Sequence, residues 1–145
     1  MYQKILTTGV LIICTCTDIY SKKIYKNVLG LYLLLSLTGR CVEYLSGQNV
    51  DIIGLAAGVL PGCVCLLLSF FTRQGIGYGD SLLIVLCGLA VGKNACWGFL
   101  FTAFFLAGIW GIIMWLLFRV DRKREIPFVP FMMLGWIVQI LAETW

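Results

Sequence analysis

Residues 75–80 read Gly75-Ile76-Gly77-Tyr78-Gly79-Asp80, a glycine at every second position followed by an acid, between two long apolar runs. How this stretch is read decides the fold. As the apex of a loop dipping into a membrane it needs a short pore helix in front of it; as a helix start it closes one span and opens the next. The apolar run at 52–71 reaches almost to Gly75 and leaves no room for a separate pore helix. The stretch is therefore read as a break between two helices.

Outward from this break the chain is apolar almost throughout. Of 145 residues, 61% are hydrophobic and 12% charged, which excludes an ordinary soluble domain. A bilayer core takes roughly 20 apolar residues per helical span, so a chain of this length holds about six. Apolar runs at about 5–20, 28–46, 52–71, 81–97, 97–118 and 128–143 predict an all-α integral membrane protein: six transmembrane helices in a single domain over 1–145. The fourth and fifth runs meet near Lys93, Asn94 and Trp97. No internal repeat or low-complexity linker is evident. The first run has features of a signal peptide, but Lys22, Lys23 and Lys26 oppose its translocation, and Ile12-Ile13-Cys14 lacks small residues before the cysteine. It is read as a retained helix.

The net charge of +4 reports orientation here rather than an acidic partner, and no nucleic-acid binding is expected. Lys22, Lys23, Lys26, Arg73, Arg119, Arg122, Lys123 and Arg124 follow the first, third and fifth runs, whereas the other side has Lys4, Arg40 and Lys93 with Glu43 and Asp51. The positive-inside rule then places both termini outside and the basic connections in the cytoplasm. There are seven cysteines, no histidine and no CxxC pair. The CxC pairs Cys14/Cys16 and Cys63/Cys65 point their side chains roughly 200° apart on a helix, which suits small buried residues rather than a zinc site. No metal or cofactor is expected.

Two acids stand at the edges of apolar runs: Asp18 in the last turn of the first helix and Asp80 at the start of the fourth. An acid at midspan costs about 2.5–3.5 kcal/mol on the insertion scale, and less near the surface. With the orientation above, both lie just inside the cytoplasmic face at similar depth, on helices of opposite direction. At about 4 Å and an effective dielectric near 20, two carboxylates repel by roughly 4 kcal/mol, which favours one proton shared by the pair. That state suits hydrolysis: one carboxyl takes a proton from water as the other donates to a peptide carbonyl oxygen. Taken singly, Asp18 also suits an i,i+4 pair with Lys22, and Asp80 a helix N-terminus.

The last four residues of GIGYGD match a potassium-channel filter, but Gly75 stands where the filter's innermost threonine would be, and the charges place this loop in the cytoplasm. At a helix start, Gly75, Gly77 and Gly79 instead allow positive φ and close approach of another backbone, with Asp80 held in the first turn. An extended substrate strand beside two carboxyls needs such an approach.

Three segments together resemble the prepilin and preflagellin peptidases, membrane aspartic proteases of the GxGD type. They are Asp18 with the basic SKKIYKN after it, GIGYGDSLLIVLCGLAVG with Gly77, Gly79 and Asp80, and IPFVPFMMLG at residues 126–135. The resemblance implies catalysis by Asp18 and Asp80, with Gly77 and Gly79 as motif support. It also implies removal of short basic leaders from prepilin-like substrates at the cytoplasmic face of the plasma membrane. The family often has Ile-Pro-Asn after the first acid, where this chain has Ile24, Tyr25, Lys26 and Asn27, and commonly lysine where it has Leu82. Longer members carry a cysteine-rich methylating domain for which 145 residues leave no room, so cleavage without N-methylation is expected. Pro127 and Pro130 read as the opening of the last helix, and Glu125 beside Arg124 as a surface acid. Gly54, Gly58 and Gly62 form a small-residue stripe for packing within or between chains. The alternatives are a silent relative that binds leaders or assists pilus assembly, and a channel or transporter subunit in which the two acids hold a cation.

Overall fold

The computed structural model describes residues 2–21, 26–47, 51–71, 77–118 and 127–145. Six α-helices make up nearly all of them: α1 Tyr2–Ser21, α2 Lys26–Leu45, α3 Ile52–Phe71, α4 Tyr78–Val91, α5 Lys93–Phe118 and α6 Val129–Thr144. Lys22, Lys23, Arg73, Arg119, Arg122, Lys123 and Arg124, with Ile24, Tyr25, Gly75 and Glu125, lie outside the described residues.

One boundary differs from the sequence expectation. The fourth helix ends at Val91, not near Trp97, and the fifth begins at Lys93. The turn is made by Gly92, whose φ of 76° lies where a side chain is strained, and whose N–H bonds back to the Gly88 carbonyl at 3.0 Å. Lys93 and Asn94 are thus the first turn of α5 rather than the connection.

Three helices, α2, α3 and α5 over Lys93–Leu117, are long and apolar enough to cross a membrane. The 14 residues of α4 and 16 of α6 are apolar but span only about 21 and 24 Å at 1.5 Å per residue, against roughly 30 Å of hydrocarbon. α1 has 20 residues, diluted by Gln3, Lys4, four threonines and Asp18.

Neighbouring pairs fix the directions. Lys4 pairs with Glu143, the Trp136 indole N–H donates to Thr8 Oγ1 at 2.8 Å, and Asp18 meets Val129, so α1 and α6 run antiparallel. Gly58 lies against Gly88 and Gly92 while Gly62 lies against Val85, so α3 and α4 do the same. Phe99 stacks edge-on to Trp136 at 5.7 Å and Phe104 meets Phe128 at 5.0 Å, which sets α5 against α6. The ends carrying Asp18, Asp80 and Val129 therefore fall together, and Lys4, Arg40, Gly92 and Glu143 lie at the opposite end.

α4 is the central helix: it packs on α1, α2, α3 and α5, and its Ser81, Leu83, Ile84, Leu86, Cys87, Gly88 and Ala90 are buried. The small-residue stripe explains how α3 comes so close. A Cβ at Gly62 would stand 2.5 Å from Val85 N, and one at Gly58 2.8 Å from Gly88 O, so the stripe is used inside the chain. Gly54 plays another part, its N–H donating to Asp51 Oδ1 at 2.9 Å as α3 begins.

Backbone groups freed by helix irregularities find partners on other helices. Pro61 within α3 has no N–H for the Ala57 carbonyl, and the Trp97 indole N–H of α5 donates to that carbonyl at 3.1 Å. At the far end of α4, Arg40 of α2 donates to the carbonyls of Leu89 and Ala90 while pairing with Glu43 at 2.9 Å. Between α1, α2 and α4 the buried Tyr32 hydroxyl lies 2.9 Å from Thr7 Oγ1 and 3.8 Å from Cys87 Sγ. The expectation of small buried cysteines holds for Cys14, Cys65, Cys87 and Cys96, but Cys16, Cys41 and Cys63 are exposed, the CxC spacing turning one member of each pair outward. On α5, Ala95, Cys96, Phe99, Leu100 and Ala103 are buried, whereas no residue from Phe104 to Leu117 is. Its second half turns an apolar surface outward.

Candidate active site

Asp18 continues the buried stripe of α1. Thr7, Leu11 and Cys14 have no exposed surface, and the same helical spacing brings Asp18 inward at 7% exposure. Asp80 continues the stripe of α4 in the same way, one turn before the fully buried Ile84 and two before Cys87. It is partly buried in the first turn of α4, where the helix dipole favours an acid. Because α1 and α4 pack in contact and in opposite directions, the two acids lie at the same end of the bundle. Each carboxyl feels the charge of the other, and both act on Cys14, one turn before Asp18.

The glycines hold Asp80 differently from expectation. Gly77 caps α4 with φ −60° and ψ 131°, ordinary extended geometry, so it does not use the positive-φ freedom of glycine. What it needs is space: a Cβ there would stand 3.3 Å from Asp80 Oδ2. The Gly77 carbonyl accepts from both Ser81 N at 3.1 Å and Ser81 Oγ at 3.2 Å, which fixes the turn that carries the acid. Gly79 lies within this turn and is partly buried. Leu82, where the sequence departs from the common lysine, is 43% exposed and two residues on from Asp80, so it points away from the acids.

The opening of α6 reaches the site, and sequence reasoning had treated it as structural support alone. The buried Val129 donates its backbone N–H to Asp18 Oδ2 at 3.3 Å. Pro130 follows at the second position of the helix, and Phe128 caps it with its carbonyl accepting from Phe131 N at 3.0 Å and Met132 N at 3.2 Å. The signal available was the proline pair around a helix start, but the acting group is a main-chain donor common to nearly every residue type.

Among the described residues no group of three or more His, Cys, Asp or Glu side chains is placed to hold a metal ion. Two carboxyls within each other's field are a chemistry in themselves: they can exchange protons with a water and a carbonyl held between them.

Comparison with known proteins gives a family. The model of the type IV leader peptidase family matches residues 5–116, a stretch holding both acids and ending before Val129. The chain is 24% identical over 141 residues to the prepilin leader peptidase/N-methyltransferase of Bacillus subtilis (strain 168), a match covering 97% of this chain and 56% of that protein. The chain thus spans little more than half the length of that relative. No solved structure gives a significant match.

Proposed function

This chain belongs to the type IV leader peptidase family, and on that premise we propose that it is an intramembrane aspartic endopeptidase. It removes short basic leader peptides from prepilin-like proteins at the cytoplasmic face of the plasma membrane. The observation that carries the proposal is that the buried Asp18 of α1 and the partly buried Asp80 of α4 lie at one end of the bundle within each other's electrostatic range. One carboxyl removes a proton from water as the oxygen attacks the scissile carbonyl; the other gives a proton to the carbonyl oxygen and then to the leaving amine. Gly77 and Gly79 keep the approach to Asp80 free of side chains. No cofactor enters these steps.

In this proposal all six helices cross the bilayer with both termini outside. The support is the charge pattern: eight of the eleven Lys and Arg residues belong to the sequence between α1 and α2, α3 and α4, and α5 and α6, or to the first residue of α2. The helix ends that these segments join are at the end of the bundle carrying Asp18 and Asp80, and a basic end is retained in the cytoplasm. Hydrolysis, not methyl transfer, is assigned to these 145 residues.

The test is to incubate membranes containing the chain with a leader-bearing prepilin and S-adenosylmethionine, and to read the product by mass. The expected product is one shortened chain with an unmethylated amine, formed equally well with a chelator present. An unchanged substrate mass under conditions where a known prepilin peptidase cleaves it overturns the proposal.

A further inference from the structure

The start of α6 accounts for its own backbone donors in an unusual way. Of the N–H groups that a helix leaves without i−4 partners at its start, Pro130 has none to offer, and that of Phe131 turns back to the Phe128 carbonyl, which also accepts the first regular helix bond from Met132. The Val129 N–H is directed across to α1, where it meets Asp18 Oδ2 at 3.3 Å. Val129 is completely buried and Asp18 nearly so.

We propose that the Val129 main-chain N–H is the positioning group for Asp18, so that the Phe128-Val129-Pro130 start of α6 is part of the catalytic machinery although it contributes no side-chain acid or base. This deepens the peptidase assignment and rests on it. The donor binds one carboxyl oxygen and thereby restricts rotation of the Asp18 side chain. Pro130 has no N–H of its own, so the residue after Val129 offers Asp18 no competing donor. Phe104 and Phe128, 5.0 Å apart, and the Phe99 to Trp136 contact hold this end of α6 against α5, which fixes the donor relative to the bundle. A hydrogen bond to an ionisable group is among the stronger kinds, and misplacing a reacting group by a fraction of an ångström is felt in the rate.

The test replaces the Val129 amide by an ester, through incorporation of the α-hydroxy analogue of valine, which deletes the N–H and keeps the side chain. An ester at Phe131 is the control, since it removes a hydrogen bond of the same helix start without touching Asp18. With prepilin cleavage as the assay, the Val129 ester is expected to lower kcat at least about tenfold with KM changed less than about twofold. The Phe131 ester is expected to keep kcat within about threefold, whatever its thermal stability. Equal kcat for the two esters overturns the proposal. Failure of the unmodified protein to cleave contradicts the peptidase assignment instead. If the Val129 ester does not fold, amide hydrogen exchange decides: the Val129 N–H should exchange at least about tenfold faster in Asp18→Ala than in the parent, and equal rates overturn the positioning role.

Discussion

Replacing Gly62 by alanine tests how closely the geometry of the acids depends on the α3–α4 contact. The added Cβ would stand 2.5 Å from Val85 N and 2.7 Å from Val85 Cα, both main-chain atoms that cannot swing aside. Restoring an ordinary 3.4 Å contact requires the helices to part by about 0.9 Å. Overpacking of this kind costs about 1–3 kcal/mol, against which alanine in a helix interior gains at most about 1 kcal/mol over glycine. Gly111→Ala, with nothing within 4 Å of its Cβ, keeps the gain without the clash. The two variants should therefore differ by about 2 kcal/mol, with Gly62→Ala the less stable. Val85 lies little more than one turn from Asp80 on α4, so the displacement reaches the acid. A misplacement near 1 Å costs up to about a hundredfold in rate, and kcat/KM of Gly62→Ala should fall at least about tenfold even where the protein remains folded. Thermal unfolding in detergent and prepilin cleavage at a temperature below the transition read the two effects. If Gly62→Ala is stabilised like Gly111→Ala and cleaves at the parent rate, α3 and α4 are not in the contact described.

Other expectations follow from single contacts. Gly77→Ala brings a Cβ to 3.3 Å from Asp80 Oδ2 and should lower kcat about tenfold while costing only about 1 kcal/mol of stability, as measured by cleavage and unfolding on the same sample. Arg40→Met removes the donors to Leu89 and Ala90 at the end of α4 remote from the acids; unfolding should show about 2 kcal/mol of lost stability, with kcat reduced less than about threefold. Trp97→Phe leaves the Ala57 carbonyl without its indole donor and should cost about 1 kcal/mol. In a Pro61→Ala background, where the helix regains its own N–H, that cost should fall close to zero; equal costs in both backgrounds would contradict the exchange of partners.

Much of this architecture was legible because bilayer-length apolar runs and charges within them are strong signals. Asp18 and Asp80 stood out for that reason, and the stripes ending in them, Thr7-Leu11-Cys14 and Ile84-Cys87, give the physical cause of their meeting. The glycine stripe on α3 was equally readable, and the structure uses Gly58 and Gly62 within the chain. The α4–α5 boundary was misplaced because Lys93 and Asn94 look like a turn by polarity, whereas the chain reverses at Gly92 by backbone conformation. Gly77 was expected for its torsional freedom and is used for the room it leaves beside Asp80. Val129 was invisible as a functional residue for a deeper reason: its contribution is a main-chain hydrogen, and only the fold decides which of many identical donors faces an acid.

The pairing of Asp18 with Asp80 is tested most directly by initial rates of prepilin cleavage for Asp18→Asn, Asp80→Asn and the double variant, each verified as folded. Groups that act as one unit lose their effect together. Both single variants should fall to the same floor, with the double variant no lower. A single variant that keeps a tenth or more of the parent rate, or two losses that multiply in the double variant, would show that the acids do not work as a pair.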